Sequence, residues 1–226
     1  MLLFGIGFSL ILWGSGADYA IQTWLHAHYS QNFNDLTRAL GWLGLGRNQI
    51  LFTLAVGAAL MLRWRFGGAS MSQKRAKTGI LALKRCWTDA PQSIKVWFYC
   101  TPVFLAAGVL SILIKLMVGR PRPKEVLFNG MPYGDLHPIW QHGHFKASLM
   151  SWPSGHSAST FAIGTLLLLA FPRWRWPIIM AMTLLGSSRF LALTPHYLGD
   201  VVAGATLGAL VALTMAPWLG IKPTRQ

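Results

Sequence analysis

Acidic residues are nearly missing from this chain: 6 of its 226 residues are Asp or Glu, against 20 Lys and Arg. Charged residues of both signs together make up 12%, about half the share usual in soluble domains. That shortage excludes an ordinary water-exposed globular surface. Cysteine is as scarce. Cys86 stands in a basic stretch and Cys100 in an apolar run, which excludes a disulfide framework or a cysteine-built metal set and leaves two unpaired thiols. There is no low-complexity segment and no internal repeat. The net charge of +14 invites a nucleic-acid reading. No basic run interleaved with stacking aromatics accompanies it, and the basic residues fall between apolar runs, so no nucleic-acid partner is expected.

What the chain does have is hydrocarbon. Hydrophobic residues make up 53%, with 11 Trp. Long apolar runs predict an all-α integral membrane protein, a six-helix bundle with short interfacial segments, built as a single transmembrane domain over residues 1–226. The first run, Leu2 to Gly14, is short for a crossing of about 20 residues. It is expected to continue through Ala17–Leu25 or to be clipped at its start. It lacks the basic flank and cleavage site of a removed signal peptide. Residues 26–48 read as a loop with a short interfacial helix. The remaining spans are expected near 48–62, 96–118, 155–171, 177–193 and 197–219.

Basic turns follow spans two, four and six: Arg63 to Lys95 with Asp89 as its one acid, Arg173 and Arg175, and Lys222 and Arg225. By the positive-inside rule that face is cytoplasmic. The first of these turns reads as a topology-setting loop, part of which would suit anionic headgroups as an amphipathic helix. Trp13, Trp24, Trp42, Trp174 and Trp218 fall near span ends, as an aromatic belt would.

Three polar groups on the opposite face are not required by the bilayer. Lys115 lies in the outer end of span three, followed by Gly119-Arg120-Pro121-Arg122-Pro123. A cation near hydrocarbon costs about 2.5–3.5 kcal/mol even on the gentler scale. A bound dianion offsets that cost, and snorkelling to lipid phosphates is the alternative. The second group is Pro153-Ser154-Gly155-His156. Ser154 is a helix N-cap, and the small residues after it leave N–H groups and a positive dipole end open to an anion. The third is Ser188-Arg189, then His196 and Asp200. His196 and Asp200 are i and i+4, expected on the first turn of span six with Thr194 capping and Pro195 at the first helical position. A carboxylate beside an imidazole fixes its tautomer and leaves the other nitrogen nucleophilic. Antiparallel packing of neighbouring helices brings these outer ends together. Cations and N–H groups aimed at one place suit phosphoryl transfer, and two histidines allow one to attack while the other protonates the leaving oxygen.

The other histidines carry less. His26 and His28 form an isolated pair. His137, His142 and His144, with Asp135 nearby, make an incomplete zinc set, and no metal is expected. Residues 124–152 read instead as a polar lid over the substrate entry, with Phe128, Met131, Tyr133, Trp140, Phe145 and Trp152 resting on lipid.

The three polar groups, in this order, resemble the type 2 phosphatidic acid phosphatase family, whose wider superfamily includes the vanadium haloperoxidases. Lys115 and, after six residues, Arg122-Pro123 match the family's first motif, and Pro153-Ser154-Gly155-His156 its second. Ser188-Arg189 and His196 with Asp200 match the third, except that six residues separate Arg189 from His196 where the pattern has five. The resemblance covers about residues 95–219. It implies that His196 attacks phosphorus to form a phosphohistidine and that Asp200 orients it. His156 would protonate the leaving group, and Lys115, Arg122, Ser154, the Gly155 amide and Arg189 would hold the phosphoryl oxygens. No metal or cofactor is implied.

The expected activity is hydrolysis of a lipid phosphate or pyrophosphate at the outer face of a bacterial inner membrane, facing the periplasm. Undecaprenyl pyrophosphate, phosphatidylglycerophosphate, phosphatidate and lipid A phosphates are candidate substrates, and membrane lipids the surroundings. Two alternatives stay open: a lipid phosphotransferase using the same intermediate, and a non-catalytic protein that binds or translocates phospholipid.

Overall fold

Small residues decide how the central helices meet. A computed structural model describes residues 2–66, 87–143, 145–192 and 195–221. Its principal helices are α1 (Leu2–Gly14), α2 (Ala17–Ala27), α3 (Gln31–Leu43), α4 (Gly46–Phe66), α5 (Gln92–Val118), α6 (Pro123–Asn129), α7 (Ile139–His142), α8 (Gly155–Ala170), α9 (Arg175–Leu191) and α10 (Leu198–Met215). Helices α8 and α10 form the centre. A Cβ at Gly208 would fall on the carbonyl of Ala158, and one at Gly204 on the carbonyl of Ser154. This small-xxx-small pair lets the two backbones approach as closely as helices do in membranes. Gly208→Leu is expected to destabilise the bundle by about 3 kcal/mol, the upper end for an overpacked core. A lowered thermal midpoint in detergent would report it, and an unchanged midpoint would contradict it.

Helix α5 packs along this pair with Val96, Cys100, Val103 and Ala107, four fully buried residues at helical spacing. They meet Ala158, Ala162 and Leu166 of α8 and Val211 and Ala212 of α10. Cys100 is therefore a core residue with a free thiol, while Cys86 lies outside the described residues. Helix α4 leans on α5 and is tied to α8 by Gln49 Nε2 donating to Thr160 Oγ1 at 2.6 Å. Helix α9 packs on α8 and α3, and α1 on α10. The chain is an all-α integral membrane six-helix bundle of α1, α4, α5, α8, α9 and α10. The helices containing Gly46–Phe66, Gln92–Val118 and Leu198–Met215 are long and apolar enough to cross by themselves, and α1 and α8 are shorter apolar helices.

The first span does not continue through Ala17–Leu25. It breaks at Gly16, which takes a left-handed conformation (φ 76°), and α2 sets off separately. The reason is Asp18 and Gln22, both fully buried. A straight continuation would carry a carboxylate into hydrocarbon, and the break turns it toward polar partners instead. Most of the expected loop at 26–48 is helix α3, capped by the Ser30 hydroxyl accepting from Phe33 N–H. The basic stretch over 67–86 and the C-terminal Lys222 and Arg225 lie outside the described residues.

Candidate active site

Helix α5 ends because Gly119 takes φ 65° and returns its N–H to the Lys115 carbonyl at 2.9 Å. The His137 carbonyl lies where a side chain at 119 would begin, so only glycine fits this turn. Arg122 becomes the N-cap of α6 and Pro123 its first residue. The returning chain is strapped to this corner: Arg122 N–H donates to Ser148 O at 2.9 Å, and Ser151 N–H to Arg120 O at 3.0 Å. Lys115 is nearly buried, and its Nζ donates to the Met150 carbonyl at 2.8 Å. The Nε of Arg122 is buried without a hydrogen-bond partner.

Helix α8 starts beside this corner. Ser154 caps it by accepting from Ser157 N–H at 3.3 Å, and its own N–H donates to the Asp200 carbonyl at 2.8 Å. That bond fixes the start of α8 on the first turn of α10. A Cβ at Gly155 would meet Ser111 Oγ at 3.2 Å and Lys115 Cε at 3.8 Å, so the helix start faces the lysine. His156 leans toward α9, its Nε2 3.0 Å from the Leu185 carbonyl and 3.4 Å from Ser188 Oγ. A Cβ at Gly44, in the turn between α3 and α4, would collide with this ring. Arg189, at the end of α9, lies against Gly41 of α3.

His196 is not on the first turn of α10. The helix begins at Leu198 with Tyr197 as N-cap, so Pro195 and His196 belong to the extended connector. Thr194, expected to cap, lies outside the described residues. Asp200 performs the capping by accepting from Tyr197 N–H at 2.9 Å. This back-reaching carboxylate is what brings His196 Nδ1 to 3.5 Å from Asp200 Oδ2. Asp200 is fully buried, and it also accepts from Arg120 Nη1 at 2.6 Å and from the Ser151 hydroxyl.

Burial drives the His196 imidazole down to about 3, the charges of Lys115 and Arg122 push the same way, and Asp200 opposes them. The lowered value keeps the ring uncharged at ordinary pH, and its Nδ1 is buried without a closed hydrogen bond. Between the free histidine value of 6.5 and about 3, unfolding takes up a proton here. The stability contributed by the neutral ring is therefore complete above pH 6.5 and declines as pH falls toward 3. The thermal midpoint is expected to fall less steeply across that window in His196→Gln than in the parent. Equal slopes would contradict the assignment.

The charges share one space. Lys115 and Arg122 act on His196, and Arg189 acts on His156, Lys115 and Arg122. Lys115, Arg122, the Ser154-Gly155 helix start, His156, Arg189, His196 and Asp200 thus line one end of the bundle. The large cavity of about 830 Å³ lies at the other end, lined by Leu60, Arg63, Trp97, Leu167, Phe171 and Trp174. It is separated from Ser154 by the length of α8, roughly 24 Å.

Sequence reasoning passed over Arg120, Asp18 and Ser151. Asp18 carried a signal, being one of very few acids and set beside an apolar run; Arg120 was overshadowed by Arg122 two positions on. Trp13 has the Arg120 guanidinium 4.3 Å from its ring. In the 124–152 segment, Phe128, Trp140 and Phe145 are exposed. Tyr133 turns inward to Arg120, and Trp152 to Ser9. Among the described residues no three His, Cys, Asp or Glu side chains are grouped to hold a metal ion; His144 and the side chain of His142 lie outside them.

The model of the PAP2 superfamily matches residues 95–222. A lipid A 1-phosphatase of Rhizobium etli is 29% identical over 179 residues, covering 79% of this chain and 70% of its own. That of Rhizobium johnstonii is 30% identical over 177 residues, covering 78% of this chain and 66% of its own. Among solved structures, a transmembrane PAP2-type phosphatidylglycerolphosphate phosphatase from Bacillus subtilis superposes with a TM-score of 0.62 over 99% of this chain and 98% of that one. At 20% identity this is a likeness of fold.

Proposed function

This chain belongs to the PAP2 superfamily, and from that premise we propose that it is a metal-independent phosphatase of a membrane lipid phosphate, working through a phosphohistidine on His196. The observation that carries the reading is the placement of His196, its Nδ1 3.5 Å from the fully buried Asp200 carboxylate, at the end of the bundle that also holds Lys115 and Arg122. A neutral nitrogen is a nucleophile, and fixed cations stabilise the charge that grows on the phosphoryl oxygens as it attacks. The partnerless Nε of Arg122 is a donor suited to one of those oxygens.

In the first step the bond from His196 Nε2 to phosphorus forms as the bond to the lipid oxygen breaks. His156 gives that oxygen a proton. Its Nε2 is held by the Leu185 carbonyl, so Nδ1 is the nitrogen that delivers it, from a ring protonated on both sides. The dianionic substrate favours that charged ring. In the second step His156 takes a proton from water as the water oxygen attacks phosphorus, and phosphate leaves with neutral His196 restored. Asp200 faces Nδ1 throughout and stabilises the ring while it carries the phosphoryl group.

A glycolipid phosphate of the lipid A type is the first substrate to test, on the likeness to the two Rhizobium enzymes. The arginines at the other end of the bundle, Arg63, Arg65, Arg173 and Arg175, support a cytoplasmic face there and a periplasmic site here, in an inner membrane. The test is phosphate release by the purified protein, in detergent with a chelator present, across lipid A 1-phosphate, phosphatidylglycerophosphate, phosphatidate and undecaprenyl pyrophosphate. Release from at least one, inhibited by vanadate, is expected. Binding without turnover on all four would leave a non-catalytic lipid-binding protein instead, and phosphate appearing only on an added lipid hydroxyl would mark a phosphotransferase.

A further inference from the structure

We propose that the N-terminal helix pair α1–α2 is a positioning device for the catalytic pair. Asp18 holds Arg120, Arg120 holds one oxygen of Asp200, and the other oxygen is thereby kept turned toward His196. The inference rests on the reading of His196 and Asp200 given above.

The chain of contacts is continuous. Arg120 Nη2 donates to Asp18 Oδ2 at 3.1 Å and Nη1 to Asp200 Oδ1 at 2.6 Å, with all three side chains fully buried. Both oxygens of Asp18 are used, since Oδ1 accepts from Gly199 N–H at 2.8 Å. Burial pushes the Asp18 carboxyl up, while the Arg120 guanidinium and the Gly199 N–H pull it down; with donors on both oxygens the geometry suits the ionised form. The guanidinium is boxed by aromatic rings, Trp13 at 4.3 Å and Tyr197 at 4.2 Å, and its Nη2 also donates to the Tyr133 hydroxyl at 3.1 Å. Its plane is therefore fixed from the faces as well as the edge.

A second hold acts on the backbone. The carbonyl of Gly199 accepts from Ser9 Oγ at 2.7 Å, and Ser9 Oγ in turn accepts from Trp152 Nε1 at 2.8 Å. The N–H and the C=O of the residue before Asp200 are thus both tied to the N-terminal helices. A Cβ at Gly199 would strike the Asp18 carboxylate, so the contact needs glycine.

Burying two carboxylates and a guanidinium is poor value for stability alone, because well-packed apolar residues of similar size do as well or better. A fork that sets the angle of one catalytic carboxylate gives such a group a reason to exist. None of the three is exposed, so Asp18 and Arg120 reach the chemistry only through Asp200. Asp18, Ser9 and Trp13 all lie before residue 95, outside the segment that the superfamily model matches.

The experiment is a double-mutant cycle with Asp18→Asn and Asp200→Asn in the full-length protein in detergent, read as kcat and KM on the preferred substrate. Asp18→Asn is expected to lower kcat by up to about 100-fold, with KM changed by no more than about threefold. In the Asp200→Asn background the same change should have almost no further effect, because its route to His196 is already lost. A role in folding alone would instead give losses that multiply. Arg120→Lys keeps the charge but not the fork, and should reproduce the Asp18→Asn loss; it carries the test if Asp18→Asn does not fold. Wild-type kcat in folded Asp18→Asn or Arg120→Lys, or multiplying losses, overturns the inference. A parent protein without turnover, or an active His196→Ala, overturns the functional reading beneath it and is told apart by those two controls.

Discussion

His196→Ala is expected to lower kcat by about 10⁴-fold or more, the scale on which nucleophile replacements act in covalent mechanisms. The protein should stay folded, because His196 lies in the connector before α10 and not in the packed interface of α8 with α10. KM should change little, since Lys115, Arg122, Arg189 and the Ser154 helix start remain to hold phosphate. The loss should be the same for every substrate, whatever its leaving group, because no phosphoryl group can be taken up without the nitrogen. Steady-state rates on a lipid phosphate and on an aryl phosphate decide the point. Retained turnover on either would remove His196 from the role of nucleophile.

His156→Ala should behave differently, and the contrast is the second large effect. Loss of a general acid costs about 10²–10⁴-fold, but only where the leaving oxygen needs a proton. An alkyl or glycosyl oxygen needs one, and a nitrophenolate does not. The expected deficit is therefore large on the lipid and small on 4-nitrophenyl phosphate in the step that forms the phosphohistidine. Burst kinetics separate that step from hydrolysis, which also uses His156. An equal loss in the burst rate on both substrates would mean that this ring, lodged against Leu185 and Gly44, shapes the site and moves no proton.

The fold was legible where a single physical demand acted. Apolar length located α4, α5, α8 and α10 to within a few residues, because hydrocarbon thickness leaves little choice. It failed where a polar residue had to be buried. Asp18 broke the first span at Gly16, and no periodicity in Leu2–Leu25 announced that the carboxylate would meet Arg120, 102 positions away. The cap at α10 failed for a similar reason. Thr194-Pro195 is a sound local helix start, but Asp200 reaches back to Tyr197 N–H, and the helix begins three residues later than Pro195. That shift places His196 on the connector before α10. Lys115, Arg122, Ser154 and the His196–Asp200 pair stood out in the sequence because cations, a helix N-cap and an imidazole–carboxylate pair are each unusual beside hydrocarbon. The supports behind them, Arg120 and Ser151, were not, since their roles exist only once three distant segments meet.

The most direct measurement is a rapid acid-free quench of the enzyme turning over ³²P-labelled lipid phosphate, followed by mapping of the label at alkaline pH, where phosphohistidine survives. The expected result is label on the peptide carrying His196, formed and lost at the rate of turnover and absent from His196→Ala. Label on the peptide carrying His156, or full turnover with no protein-bound phosphate at any time, would contradict the assignment of His196 as the residue that carries the phosphoryl group.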